Sequence, residues 1–276
     1  MGKINYYSSE KISDRITQIT SLTGEFMYLV EGTEKALLID TCVGYGHLRD
    51  FVEKLTEKPI TVVLTHGHVD HAMGAPEFDE VYMNRKDKDI YQEHKRMEVR
   101  KGYIRMGLGD VSEELKEEDF VLPTDLNFKE LKDGMIFSLG GIDLEIFETP
   151  GHTPGSITIL IKEERILFLG DACNTFTFLF DDKALPVHAY CEVLQKLDQA
   201  TNGRYDQVLL SHGISVAPKD MISSVLSVCQ DIILGKADDI PFEFMGKQAY
   251  IAKAIGENRM RADGGLGNIV YSKKCL

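Results

Sequence analysis

The chain has 276 residues, of which 43% are hydrophobic and 27% charged, and its formal net charge at pH 7 is -13. This length and composition allow one large domain with a sizeable core and argue against intrinsic disorder. The acidic balance argues against nucleic acid as the main partner, because binding a polyanion requires a basic surface.

Short apolar runs rich in β-branched and aromatic residues predict the first strands, at residues 26–30, 36–39 and 60–64. Between the last two, apolar side chains recur on one face of a predicted helix from His47 to Leu55. This alternation of strand and helix is typical of a mixed α/β domain.

The next segment, residues 84–125, is strongly charged and predicted to be a helical insertion. From Arg85 to Arg105 it carries eight basic residues against four acidic ones. A pair of solvated helices with surface ion pairs is the ordinary interpretation. The alternative is a cap over an active site that contacts an anionic substrate. The candidate contacts in this segment are Tyr91, His94, Arg96, Arg100, Tyr103 and Arg105.

The second half repeats the alternation of strands and helices. Apolar runs punctuated by glycines predict strands at 136–139, 144–148, 157–161, 166–169 and 207–210. Amphipathic stretches predict helices at 187–199 and 219–234. His188 and Tyr190, at the start of the first of these helices, are two further candidate substrate contacts. We therefore expect one domain, residues 1–276, made of two similar halves with an insertion at 84–125.

Cysteine usage and apolar segments indicate a cytoplasmic protein. The five cysteines form no C-x-x-C pair, so reduced thiols are expected rather than disulfides or a thiolate zinc knuckle. They are Cys42, Cys173, Cys191, Cys229 and Cys275. Because no segment resembles a signal core or a membrane span, we also expect no membrane partner.

The run Thr65-His66-Gly67-His68-Val69-Asp70-His71 predicts a metal site, because it places three imidazoles and a carboxylate within six residues. Alternation in an extended segment brings His66 and His68 to one side, while Asp70 and His71 can turn towards a neighbouring position. A solvated turn rich in histidine is the alternative interpretation of this run alone.

Three more polar residues follow predicted strands and are flanked by glycine or another small residue. They are His152, Asp171 and His212. Taken singly, a histidine at a strand end is more often a hydrogen-bonded structural residue than a metal ligand. Their order behind the histidine-rich run makes them candidates for the same site.

The ordered signature H-x-H-x-D-H, glycine-flanked His, Gly-Asp and Ser-His-Gly resembles the metallo-β-lactamase-fold hydrolase superfamily, including its glyoxalase II-like proteins, over essentially the whole chain. The resemblance implies an α/β fold, a four-layer αββα sandwich of two similar βα halves. It also matches Asp40 to the family's early strand-end aspartate, which lies behind the metal ligands.

The resemblance also implies a site for two metal ions. His66, His68 and His152 would bind the first ion, Asp70, His71 and His212 the second, and Asp171 would bridge them. Zinc is the default, but iron and manganese also suit imidazole and carboxylate ligands. Four polar residues adjacent to the ligands could fix the imidazole tautomers by hydrogen bonding. These are Asp40, Thr65, Thr153 and Ser211.

Our leading hypothesis is a hydrolase in which a hydroxide bridging two metal ions attacks a small ester-like substrate, a thioester, lactone or phosphodiester. Asp70 would orient the nucleophile or accept a proton. The alternative is an iron-dependent oxidoreductase, either persulfide dioxygenase-like or diiron. The diiron relatives place a glutamate where this chain has His68, which weakens that alternative. A metal-binding protein without catalysis is a third possibility. Copies of the chain could associate, but no heptad pattern specifies an oligomer.

Overall fold

The computed structural model describes residues 5–257 and 260–274, so Cys275 lies outside the described residues. The chain forms two compact units, unit 1 (Met1–Asp143) and unit 2 (Leu144–Leu276). The segment 84–125 therefore belongs to unit 1. The organisation as one domain of two similar halves stays a prediction.

Unit 1 is built on a seven-stranded sheet whose strands lie in chain order. The strands are β1 (Tyr7–Lys11), β2 (Ile16–Ser21), β3 (Phe26–Glu31), β4 (Ala36–Ile39), β5 (Ile60–Val63), β6 (Val81–Met83) and β7 (Lys129–Glu130). The pairs from β1 to β4 are antiparallel, and those from β4 to β7 are parallel. An eighth strand, β8 (Ile136–Ser138), precedes the end of the unit.

The parallel pair β4 and β5 positions the first candidate ligands. Both strands are almost entirely buried, as their continuous apolar sequences predict. Ile39 pairs with Val63, so the two strands end side by side. Consequently Asp40, directly after β4, lies beside the start of the histidine-rich run after β5.

The helices of unit 1 are α1 (Leu48–Val52), α2 (Val69–Ala72), α3 (Lys88–His94) and α4 (Met97–Leu108). Four 3-10 helices accompany them, at Ala75–Glu77, Arg85–Asp87, Gly109–Glu114 and Glu117–Asp119. The first helix is shorter than the stretch predicted from His47 to Leu55. Both α3 and α4 lie within the segment 84–125, where helices were predicted.

Unit 2 contains two sheets. The first has strands β9 (Asp143–Glu148), β10 (Ile157–Ile161), β11 (Ile166–Phe168), β13 (Gln207–Leu209) and β14 (Val216–Pro218), in the order β14-β13-β11-β10-β9. The second has strands β12 (Thr177–Leu179), β15 (Ile240–Phe244), β16 (Lys247–Ile251) and β17 (Ile269–Tyr271), in the order β12-β17-β16-β15. The helices α5 (Val187–Thr201) and α6 (Met221–Ile233) bury their apolar faces in the core of this unit.

In unit 2, β11 and β13 form a parallel pair with aligned ends, as β4 and β5 do in unit 1. The two strands are parallel, and Phe168 pairs with Leu209. Asp171 and His212 follow these strands at corresponding distances, so they meet at one edge of the sheet. Within the described ranges, the structure has no helix with the length and apolar character needed to span a membrane.

Candidate metal centre

The histidine-rich run of unit 1 gathers its three imidazoles into one cluster. His66 Nε2 lies 3.1 Å from His68 Nδ1. The ring centroid of His66 is 4.7 Å from that of His68 and 4.1 Å from that of His71. His66 and His71 are buried, which removes the interpretation of this run as a solvated turn.

The carboxylate of Asp40 orients the end of this run. Its Oδ1 accepts the Thr65 N–H at 2.7 Å, and its Oδ2 lies 2.8 Å from both Thr65 Oγ1 and His71 Nδ1. An Nδ1–H donated to Asp40 gives His71 a lone pair on Nε2, the nitrogen that can bind a cation. Asp40 has φ 63°, a left-handed conformation that aspartate tolerates better than most residues.

Through Thr65, Asp40 also fixes the position of the ring proton of His66. Since the Thr65 hydroxyl donates its single proton to Asp40, it can only accept from His66 Nδ1, 3.0 Å away. His66 Nε2 then carries the lone pair. In this arrangement one buried carboxylate can set the tautomers of two imidazoles, and the role of Asp40 and Thr65 stays a prediction.

The short helix α2 presents Asp70 and His71 and is tied to the loop after β4. The carbonyl of His71 accepts the Thr41 N–H at 2.6 Å, and the Met73 N–H donates to Cys42 O at 2.9 Å. These bonds fix the helix although it has only four residues. The position of Asp70 is thus determined by the end of β4.

Gly67 lies between two of the histidines and is required there by a close approach. Its N–H donates to Asp87 Oδ2 at 2.9 Å, and an added Cβ would lie 2.8 Å from Asp87 O. Asp87 is fully buried. Sequence reasoning missed this residue, because it stands within the charged run Arg85-Lys86-Asp87-Lys88 and has the signature of a surface aspartate.

Two side chains of the charged segment contact the ligand run. His94 Nδ1 accepts the Val69 N–H at 3.0 Å, and its ring stacks on His68 with centroids 4.9 Å apart and planes at 16°. Tyr103 donates towards Asp70 Oδ2 at 3.1 Å. The segment 84–125 therefore supports the candidate ligands within unit 1.

The hydroxyl of Tyr103 also lies 2.6 Å from Glu25 Oε1. Burial, followed by the charges of Asp70 and Glu25, raises the pKa of Tyr103 above its ordinary value, so the phenol stays protonated at neutral pH. Glu25 is buried, and sequence reasoning missed it. No local signal distinguishes it from a solvated glutamate in the turn before β3.

The structure corrects the interpretation of Arg100 and Tyr91 as substrate contacts. Both are buried. Arg100 donates to the main-chain carbonyls of Val43, Gly44 and Val121, and the Tyr91 hydroxyl donates to a main-chain carbonyl at Thr124. Burial lowers the pKa of Arg100 to about 10, so it stays charged at neutral pH. These polar groups bind main chain inside unit 1. Arg96 and Arg105, by contrast, are exposed.

In unit 2, two predicted histidine ligands converge on the carboxylate of a third predicted ligand, Asp171. The Nε2 of His152 lies 3.9 Å from Asp171 Oδ2, and that of His212 lies 3.4 Å from the same oxygen. His152 Nδ1 is 2.9 Å from Phe178 O, a carbonyl that can only accept. The Nδ1–H of His152 is therefore donated there, and its Nε2 carries the lone pair.

Three polar residues lie close to these candidate ligands in the sequence. Thr153 shapes the turn that presents His152, since its Oγ1 lies 2.8 Å from Ser156 Oγ. The Ser211 hydroxyl is buried and makes no hydrogen bond within the described part of the chain, so its predicted contact with an imidazole is wrong. Asn174, which sequence reasoning missed, donates to Asp171 Oδ1 at 3.3 Å. Its position three residues after Asp171 was the available signal.

The two candidate substrate contacts of unit 2 differ in burial. Tyr190 is buried and donates to Ala172 O at 2.7 Å, which corrects its interpretation as a substrate contact. His188 is exposed. Burial raises the pKa of the Cys173 thiol to about 12, so it stays protonated at neutral pH and differs from a thiolate ligand.

The donors in each unit fit a divalent cation. In unit 1, ligand atoms of His66 and His68 lie within 4.8 Å of each other, as do those of Asp70 and His71. In unit 2 the same holds for Asp171 and His212. Imidazole nitrogen and carboxylate oxygen without thiolate suit zinc, iron and manganese.

Residues 22–212 match a family model described as the Metallo-beta-lactamase superfamily. The chain is 26% identical over 193 residues to Acyl-coenzyme A thioesterase MBLAC2 of Homo sapiens, covering 62% of this chain and 68% of that protein. It is 28% identical over 162 residues to Hydroxyacylglutathione hydrolase GloC of Haemophilus influenzae, covering 56% and 69%.

Among solved structures, a metallo-beta-lactamase from Pontibacter korlensis superposes with a TM-score of 0.61 at 20% identity, covering 82% of this chain and 99% of that one. At this identity the likeness shows a shared fold.

Proposed function

This chain belongs to the metallo-beta-lactamase superfamily, and we propose on that basis that it is a binuclear metal-dependent hydrolase of thioesters. Its mixed α/β fold is that of the family, as the ordered motifs predict. The thioester is preferred over the lactone and the phosphodiester because two relatives are named as an acyl-coenzyme A thioesterase and a hydroxyacylglutathione hydrolase.

The observation that carries the proposal is the buried carboxylate of Asp40. It lies 2.8 Å from His71 Nδ1 and, through Thr65, also orients His66. A carboxylate behind an imidazole fixes the ring and raises its basicity towards a cation. A histidine that binds a metal almost always donates its other ring N–H to a partner of this kind.

We assign the ligands as the family resemblance implies. His66, His68 and His152 would hold one ion and Asp70, His71 and His212 the other, and Asp171 would be a ligand of both. The convergence of the candidates within each unit supports this assignment, as does the family match, which extends over residues 22–212 and so includes all seven side chains.

Two bound divalent ions would supply a nucleophile at neutral pH by lowering the pKa of water to about 7, and would polarise the substrate carbonyl. The protein's own residues hold the candidate ligands in place and orient the attacking group. Asp40 keeps the lone pairs of two imidazoles on Nε2, and the carboxylate of Asp70 accepts a proton or a hydrogen bond from the attacking group. The phenol of Tyr103 restrains that carboxylate at 3.1 Å.

We further propose that the substrate is a small anionic thioester and that the protein acts in the cytoplasm. Arg96 and Arg105 lie exposed at the start and near the end of α4 and offer positive charge. The four described cysteines are free thiols, which fits a reducing compartment.

Metal analysis of protein purified without added metal, followed by a substrate panel, tests the proposal. We expect about two zinc or manganese ions per chain, in line with a two-metal site. We also expect hydrolysis of acyl-coenzyme A or acylglutathione with a lower KM than that of a neutral thioester of the same acyl group. Chelation should abolish the activity and metal addition should restore it.

One redox-active iron per chain, with oxygen consumption in the presence of a persulfide, would replace this proposal with the oxidoreductase alternative. Metal binding without turnover of any thioester, lactone, phosphodiester or β-lactam would contradict the hydrolase.

A further inference from the structure

Glu25 is a buried carboxylate outside the proposed ligand set. It is 1% exposed and lies in the turn between β2 and β3. The hydroxyl of Ser21 donates to its Oε2, as does that of Thr23 at 2.6 Å. A buried carboxylate is costly unless it is fully hydrogen-bonded, so three hydroxyls around it, with Tyr103 the third, mark a fixed position.

Tyr103 connects this carboxylate to the candidate metal ligand Asp70. Its hydroxyl oxygen is 2.6 Å from Glu25 Oε1 and 3.1 Å from Asp70 Oδ2. A phenol has one proton, so the two carboxylate oxygens share it. The shorter contact is to Glu25 and the longer one is to Asp70. Asp70 therefore receives the weaker part of a shared hydrogen bond, which restrains it and leaves it an anion.

The same oxygen of Asp70 lies 3.6 Å from His71 Nε2. His71 Nε2 carries a lone pair and has no proton to donate, so the restraint on Asp70 Oδ2 comes from Tyr103. A carboxylate that is held in this way loses little rotamer freedom when it binds a cation. The negative charge of Glu25, a short distance behind the phenol, adds to the attraction for that cation.

We propose that Tyr103 is a positioning residue which holds Asp70 for the metal ion, with Glu25 fixing the phenol. The inference rests on the proposed function, in which Asp70 is a ligand. Under this inference the charged segment 84–125 helps to build the site, because Tyr103 lies on α4. The role of Tyr103 is then to hold Asp70, whereas the sequence predicted that it contacts substrate.

The fold of α4 does not depend on the Tyr103 hydroxyl. Ile104 is buried, and Arg100 donates to three main-chain carbonyls from the same helix. Removal of one hydroxyl should therefore leave α4 in place. Removal of this hydroxyl therefore tests the positioning of Asp70 without removing support for the helix.

The test compares Tyr103→Phe with Tyr91→Phe in the full chain. Both changes remove a phenolic hydroxyl from the segment 84–125, but Tyr91 donates to Thr124 O. Zinc is titrated into the apo-proteins against a chelator, and kcat and KM are measured on the best substrate of the panel. We expect Tyr103→Phe to bind one of the two ions about 10- to 100-fold more weakly and to lower kcat more than KM changes. Tyr91→Phe should match the wild type in both respects.

Glu25→Gln provides the second variant. Its amide oxygen can still accept the Tyr103 proton, while the charge behind Asp70 is lost, so zinc affinity should fall in the same direction by a smaller factor. If Tyr103→Phe does not fold, zinc affinity of Glu25→Gln equal to that of the wild type overturns the inference.

Equal zinc affinity of Tyr103→Phe and Tyr91→Phe would overturn the inference even if the enzyme hydrolyses thioesters. Weakened zinc binding in Tyr103→Phe would support it even if no substrate were turned over, because the titration does not depend on activity. Failure of the proposed function and failure of this inference are therefore distinguishable.

Discussion

Unit 1 and unit 2 place their candidate ligands by the same means but orient them differently. In each unit, polar side chains follow a pair of parallel strands with aligned ends, β4 with β5 and β11 with β13. In unit 1 the rings are oriented by a buried carboxylate, Asp40. In unit 2 the ring of His152 is oriented by a main-chain carbonyl, that of Phe178.

This difference predicts which substitutions behind the candidate ligands should weaken metal binding. A side chain behind a ligand can be changed, whereas a main-chain carbonyl is kept by every substitution that leaves the strand intact. Substitutions behind the ligands should thus matter more in unit 1, while substitutions of the ligands themselves should matter equally in both units.

The largest effect is expected from His71→Ala and His152→Ala, one ligand from each unit. Each variant should lose about one bound ion per chain and fall to background activity, because an incomplete ligand set binds metal poorly. Metal content and thioester turnover measure this. His47→Ala is the matched control, since His47 is exposed and its Nδ1 faces Glu77.

A His152→Ala protein that kept two ions and full activity would show that unit 2 does not contribute that ligand. The comparison between Asp40 and the Phe178 carbonyl as groups that orient ligands would then lose its premise.

A smaller effect is expected from Asp40→Asn, paired with Asn174→Ala in unit 2. Asparagine tolerates the left-handed conformation at φ 63°, so this change removes charge and leaves the backbone unstrained. We expect zinc affinity to fall about 10- to 100-fold, as for other changes behind metal ligands. Asn174→Ala removes a 3.3 Å hydrogen bond to Asp171 and should weaken binding less. A larger loss in Asn174→Ala, measured by the same chelator competition, would reverse the comparison.

The contiguous candidate ligands could be predicted from the sequence, as could Asp40 and Thr65 behind them, whereas Glu25 and Asp87 could not. His66 to His71 form a motif because their spacing already implies convergence. His152, Asp171 and His212 can be recognised as candidate ligands only from their order in the sequence, because strand pairing is what brings them together. Glu25 and Asp87 resemble surface charges in the sequence, and only tertiary packing buries them.

The same reasoning explains the elements that sequence patterns identified or missed. Strands such as β4 and β10 are continuous apolar runs, and they are buried throughout. β2 was not predicted, because four of the six residues in its sequence ITQITS are polar, although Thr17 and Gln18 are buried. Arg100 was predicted to contact an anionic substrate, because the three main-chain carbonyls to which it donates meet only in the folded unit.

The smallest effect, and the sharpest contrast between the units, is expected from Thr65→Ala and Ser211→Ala. Both remove a buried hydroxyl next to a candidate histidine ligand. The Thr65 hydroxyl donates to Asp40 and faces His66 Nδ1, so its loss should lower the free energy of unfolding of the apo-protein by about 1 to 3 kcal/mol.

The Ser211 hydroxyl has no hydrogen-bond partner in the described ranges, and its removal leaves no donor or acceptor unpaired. Ser211→Ala should therefore stay within about 0.5 kcal/mol of the wild type in urea unfolding and bind zinc with unchanged affinity. If Ser211→Ala cost as much as Thr65→Ala, a side-chain hydroxyl would be supporting the ligands of unit 2 as well. The two units would then orient their ligands by one principle rather than two.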